Sequence, residues 1–190
     1  MERRDLLKMI AAATGTALIS RNVLAWDPTR ASALKDTGYT SDDLGLINEI
    51  ADTIIPRTDT PGAKDVNVAA TMAIIVADCF TLEEQTLFNQ GLQDIQQLAQ
   101  KSHGKGFVQL TSQQRLDLLT PIDAKATSIN KKRWQDKKLK AHPFTLIKQL
   151  VLFTFFTSKV GAMEVLRFVA VPGRYDGHFP YKKGDKAWAT

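Results

Sequence analysis

Asp52 and Asp59 stand on either side of Pro56, with Arg57 between them. Two carboxylates held close together could work as general acid and general base. Nothing nearby in the sequence recruits a nucleophile to them, so ion pairing with Arg57 is the simpler role. The three histidines, His103, His142 and His178, are far apart, and no pair has the helical spacing that presents two imidazoles to one metal. They read as solvated surface residues, and no metal site is expected. Cys79 is the sole cysteine, which excludes an internal disulfide and a thiolate-bound iron–sulfur cluster. It closes an apolar run, where a thiol is either a small buried hydrophobe or a possible bridge to another chain.

A basic run is the other chemical feature. Lys125, Lys131, Lys132, Arg133, Lys137, Lys138, Lys140 and Lys148 are accompanied by one later acid, Asp136, and by Trp134. Cations of this kind neutralise phosphates, and an aromatic ring stacks on bases. A solvated helix face accounts for the run more simply, with docking to an acidic protein or an anionic membrane as the alternative between residues 125 and 148. Nucleic acid is not expected as a partner. The chain also carries no glycine fingerprint for a dinucleotide, no phosphate-cradling loop and no paired cysteines for c-type haem. No cofactor is therefore expected within it.

The first residues explain how such a chain could still belong to redox chemistry. Arg3 and Arg4, followed by Leu6, Leu7 and Lys8, match the pattern of a twin-arginine export signal. A diluted apolar run to Ile19 follows, and Ala25 offers a small residue for cleavage before Trp26. This predicts a signal over 1–25, a linker or arm over 26–40, and a domain over 41–190 delivered to the periplasm. The apolar run is shorter than the roughly 20 residues that cross a bilayer. Because the twin-arginine translocase passes folded cargo, the chain should own a cofactor or travel with a protein that does.

The elements that must position these residues are helical. Of 190 residues about 165 remain after cleavage, enough for one cored domain, and the net charge of +5 falls to +3 once the signal is removed. Ser41 is placed to cap a first helix, with Leu44, Ile47, Ala51 and Ile54 at helical spacing, which Pro56 stops. Ala69–Phe80 is apolar on most faces and reads as a central helix. Capping boxes at Thr81/Glu84 and Thr111/Gln114 open two more helices. The first of these aligns Phe88, Leu92, Ile95 and Ala99; the second points Leu116 and Leu119 inward and is interrupted or bent at Pro121. Residues 143–157 form the greasiest segment, opened by Pro143, and Ser158 starts a last helix through Phe168. The expected fold is all-α: a single compact helical domain of about six helices, with long irregular loops at 56–68 and 170–190 and an extended C-terminal tail.

Three segments, ADTIIPRTDTPGAKD (51–65), FFTSKVGAMEVLRF (155–168) and VPGRYDG (171–177), resemble the gluconate 2-dehydrogenase subunit 3 family. The resemblance implies a noncatalytic small subunit, exported by the twin-arginine route, of a membrane-associated flavin dehydrogenase acting on gluconate, glucose or related sugars. It implies a large catalytic subunit of the glucose-methanol-choline oxidoreductase type that holds FAD and rides on the small subunit's signal. A multihaem c-type cytochrome as third subunit is also implied. Arg57, Thr58, Asp59, Pro61 and Gly62 match one family motif, and Pro172, Gly173, Arg174, Tyr175, Asp176 and Gly177 another. Their chemistry suits a partner interface: arginines fork onto carboxylates, a tyrosine buries its ring while keeping a hydroxyl bond, and glycines permit close approach. The rival expectations are a free-standing periplasmic enzyme using Asp59, Arg174 and His178, or an anionic-surface binding module built on the basic run.

Overall fold

The computed structural model describes residues 37–136 and 138–189. The export signal at Arg3, Arg4, Leu6, Leu7 and Lys8, the cleavage position Ala25/Trp26, the arm over 26–36 and Lys137 lie outside the described residues. Five α-helices run through the described chain: α1 Ser41–Ile54, α2 Val68–Cys79, α3 Leu82–His103, α4 Ser112–Gln135 and α5 Pro143–Phe156. Short 3-10 turns occupy Ala63–Val66 and Phe107–Gln109, and a π-helical turn spans Gly161–Val165. Two-residue strands β1 (Arg167–Phe168) and β2 (Trp188–Ala189) pair in parallel. The all-α expectation holds.

Helix starts follow local chemistry. Thr81 and Thr111 accept the amides of Glu84 and Gln114, whose side chains reach back to the cap amides. The cap of α1 is Thr40 and not Ser41: its hydroxyl accepts the amide of Asp43, and Asp43 Oδ2 takes the Thr40 amide at 2.9 Å. At α5 the side chain of His142 caps, with Nδ1 accepting the Phe144 amide at 3.2 Å ahead of Pro143 in the first turn. His142 is half-buried, unlike the exposed His103 and His178, which corrects the solvated reading for this one histidine. Burial, and then Lys125, push its imidazole below the ordinary value, against an opposing pull from Asp94.

Helix α5 is the strut of the fold. It packs against α3, α2, α4 and α1, and Phe144, Ile147, Val151 and Phe155 are almost wholly buried. Its approach to α3 needs Gly91, where a Cβ would come within 2.8 Å of Ile147 Cδ1 and 2.9 Å of Pro143 Cβ. The predicted inner face of α3, Phe88, Leu92, Ile95 and Ala99, is buried in full.

Two helix expectations are corrected. Helix α4 runs through the exposed Pro121 without interruption, so the expected break does not occur. Its inward residues are Leu118 and Leu119, while Leu116 is 48% exposed. The segment from Ser158 to Phe168 is not a full helix. Ser158 Oγ does accept the Gly161 amide at 3.0 Å, but the chain makes one π turn and leaves it at Leu166 for β1. Among the described residues no helix is long and apolar enough to cross a membrane.

Candidate partner interface

The loop after α1 is ordered by its own backbone and by one carboxylate. Asp65 accepts the Gly62 amide at 2.7 Å and both Nε and Nη2 of Arg57, a two-pronged grip that brings the loop back on itself. The Arg57 guanidinium, and then the Gly62 amide, hold the Asp65 carboxyl below its ordinary value. Gly62 has no room for a side chain, since a Cβ would lie 2.5 Å from the Arg57 amide nitrogen and 2.9 Å from Pro56 C. The Ala63 amide bonds the Ile55 carbonyl at 2.9 Å, and Asn67 carries the chain into α2 in the left-handed conformation that asparagine tolerates. Arg57 therefore pairs with Asp65 and not with Asp52 or Asp59, correcting that expectation. Asp52 reaches Lys64 at 3.2 Å, and the Thr58 and Asp59 side chains stay exposed with no hydrogen bond or ion pair among the described residues.

Behind the loop sits an ion cluster that sequence reasoning missed. Glu49 on α1 accepts Lys64 Nζ at 2.8 Å and Arg115 Nη1 from α4, 66 residues away. Arg115 is buried, its guanidinium 5.8 Å from the Phe107 ring centroid, and it donates to the Phe107 carbonyl at 3.2 Å and the Val108 carbonyl at 2.6 Å. One arginine thus ties α1, α4 and the second 3-10 turn together. Burial pulls the Lys64 ammonium down, but its bonds to Glu49 and Asp52 outweigh that and raise it. Neither Arg115 nor Glu49 carries a sequence signal beyond its charge.

The second motif lies in a closed loop that we call the clasp. Backbone bonds from Arg167 to Ala187 (2.8 Å) and from Val169 to Ala189 (2.9 Å) join its ends. Arg167 lies 4.6 Å from the centroid of Trp188 and 5.8 Å from that of Phe179, and the two rings meet edge to face at 5.3 Å. Gly173 turns the chain at φ 74°, Asp176 Oδ1 accepts the His178 amide at 3.1 Å, and Arg174 approaches Asp176 at 3.9 Å. A mainly apolar cavity of about 340 Å³ opens between Val169, Pro172, Tyr175, Phe179 and Trp188. Tyr175 is 95% exposed, so its ring is not buried within this chain.

The Ala63–Val66 turn of the first loop and the π turn that leads into the clasp both pack on α5. No hydrogen bond or ion pair joins them among the described residues. Asp59 is likewise not linked to Arg174 or His178, which do share Asp176. A second groove, about 540 Å³, runs between the start of α1, α2 and α3. Tyr39 crosses it, donating to Asn89 Oδ1 at 2.7 Å with its ring edge-on to Phe88; burial, then Asp43, push its phenol up to about 12 against the pull of the Asn89 bond.

The remaining singled-out residues are dispersed. Cys79 is exposed at the end of α2, which corrects the buried-thiol reading. Trp134 is 88% exposed near the end of α4, Arg133 Nε bonds the Leu139 carbonyl, and Lys148 pairs with Asp123 at 2.7 Å. Among the described residues no group of three or more His, Cys, Asp or Glu side chains is placed to hold a metal ion.

Neither a curated protein nor a solved structure matches the chain. A family model does, described as Gluconate 2-dehydrogenase subunit 3, over residues 41–173. That span takes in all five helices, the Arg57–Gly62 loop and the entry to the clasp as far as Gly173, and on this match the chain belongs to the gluconate 2-dehydrogenase subunit 3 family.

Proposed function

We propose that this chain is the noncatalytic small subunit of a periplasmic, FAD-dependent gluconate or sugar dehydrogenase. Its twin-arginine signal would carry a folded catalytic subunit of the glucose-methanol-choline type across the membrane, and its helical body would then stay bound and stabilise that subunit. Family membership over residues 41–173 carries the reading. The open loops support it. Thr58 and Asp59 are exposed on a loop braced from behind by Asp65 and the Glu49 cluster, and large apolar side chains at Phe153, Met163, Val171, Tyr175 and Tyr181 face solvent, as at surfaces that meet other proteins. FAD belongs to the catalytic partner, and haem c to a third, cytochrome subunit through which the complex is held at the membrane.

Coexpression tests it. A glucose-methanol-choline-type flavoprotein without its own signal, sought in the neighbouring reading frames, should reach the periplasm loaded with FAD only when this chain is present with Arg3 and Arg4 intact. Equal export and equal FAD content without the chain would refute the proposal.

A further inference from the structure

We propose that the clasp, Arg167–Ala189, selects the partner by receiving an acidic segment of the flavoprotein subunit, with one apolar side chain in the 340 Å³ cavity and one carboxylate on Arg167. This rests on the function proposed above and adds where the partner is recognised and by what chemistry.

Three observations support it. The first is the state of Arg167. Of the five arginines among the described residues, Arg57, Arg115 and Arg174 reach a carboxylate and Arg133 bonds the Leu139 carbonyl, whereas the Arg167 guanidinium has neither. Its guanidinium is held instead against two rings, an arrangement that fixes the planar fork while leaving donors for a carboxylate from outside.

The second is charge. The clasp carries Arg167, Arg174, Lys182, Lys183 and Lys186 against Asp176 and Asp185. Both acids are engaged locally, Asp176 by the His178 amide and Asp185 by the Lys182 amide at 2.8 Å. The surface is therefore left electropositive around an apolar centre, the layout of an interface with a buried anchor and a charged rim. An anionic lipid surface would also answer the lysines, but it would leave the cavity and the ring-held guanidinium without use.

The third is the family boundary. The family match ends at Gly173, so Tyr175, Phe179, Trp188 and the lysines all lie beyond it. The family model recognises the helical body and the entry to the clasp, Arg167 included, while the rest of the clasp lies outside it. That is where discrimination between related flavoproteins would reside.

The test uses the full chain and the glucose-methanol-choline-type flavoprotein whose export it supports in the coexpression experiment, with affinity and association rate measured on purified proteins. Arg167→Gln and Trp188→Ala should each weaken binding by about 30-fold, the scale of an interface hot spot. Lys182→Glu combined with Lys183→Glu should slow association about 10-fold in dilute buffer, with the difference fading in high salt. Tyr175→Ala guards against a clasp that merely unfolds, since that exposed side chain can be removed without opening the β1–β2 pair; it should weaken binding by about 10-fold at unchanged melting temperature. If the wild-type chain binds and all these variants bind equally well, the clasp proposal falls while the subunit reading stands. If the wild-type chain does not bind the flavoprotein, both fall. If the variants lose binding only to vesicles containing phosphatidylglycerol, the clasp is a lipid contact and the proposal is overturned.

Discussion

Replacing Arg115 with methionine keeps the apolar stem and removes every hydrogen bond the guanidinium makes. The Phe107 and Val108 carbonyls lose charged donors at 3.2 and 2.6 Å, which costs roughly 1 kcal/mol each at a partly hydrated turn. Glu49 is not stranded, because Lys64 remains 2.8 Å away, so loss of that pair adds about 1 kcal/mol in place of the 3–5 kcal/mol expected for an abandoned buried charge. The sum, about 3 kcal/mol, corresponds to a fall in melting temperature of about 6–12 °C for a domain of this size. Differential scanning calorimetry of the chain reads it directly. Glu49→Gln should cost about 1 kcal/mol, and the double variant should cost less than the two singles together, since they share a bond. A drop of less than about 2 °C for Arg115→Met would show that water serves those carbonyls equally well, and the claim that this arginine ties α1 to α4 would be wrong.

Gly62→Ala should destabilise the chain by about 1–3 kcal/mol in urea titration, because the neighbours a Cβ would meet are backbone atoms that cannot swing aside. Ultraviolet titration should show one phenol losing its proton near pH 12, and Tyr39→Phe should abolish that step. Since the folded state keeps this proton after an unfolded tyrosine has lost it, the associated stability is complete below pH 10 and disappears as pH rises towards 12. The Asp65 carboxyl carbon should titrate in NMR below 3.8; its stabilising contribution is present above that pH and lost as acid protonates it, and Arg57→Gln should move the midpoint upward. A thiol reagent should label Cys79 fully in the native protein, with labelling only after denaturation counting against its exposure.

What the sequence made legible was local. Thr81 with Glu84 and Thr111 with Gln114 sit four residues apart or less and declare themselves, and the i, i+4 rhythm of Phe88, Leu92, Ile95 and Ala99 needed no tertiary knowledge. The Thr40 cap was within reach too: Ser41 has Leu44 three residues on, whereas Thr40 has Asp43, the residue a reciprocal cap requires. Pro121 misled because its cost depends on which side of the helix it occupies, a fact set by packing. The shortfall of the last helix is likewise set by packing at a distance, since from Leu166 the chain leaves the π turn to pair Arg167–Phe168 with Trp188–Ala189. Arg115 and Glu49 were illegible because an ion pair 66 residues apart leaves no periodic trace. In the candidate interface, Arg57 had an obvious acid on either side and chose a third, Asp65, whose reach is fixed by the turn at Gly62. Which side chains Thr58, Asp59 and Tyr175 meet in a complex is written in the other polypeptide.

The parallel pairing of Arg167–Phe168 with Trp188–Ala189 also imposes an order of events during synthesis. At about 5–20 residues per second, the second strand is added roughly 1–4 seconds after the first, and its non-local pairing closes more slowly than the local contacts of the helices. The clasp is thus the last piece to take shape. On the proposal made above, a nascent chain that stalls or is clipped before Trp188 would carry a finished helical body with its partner-selecting end still open.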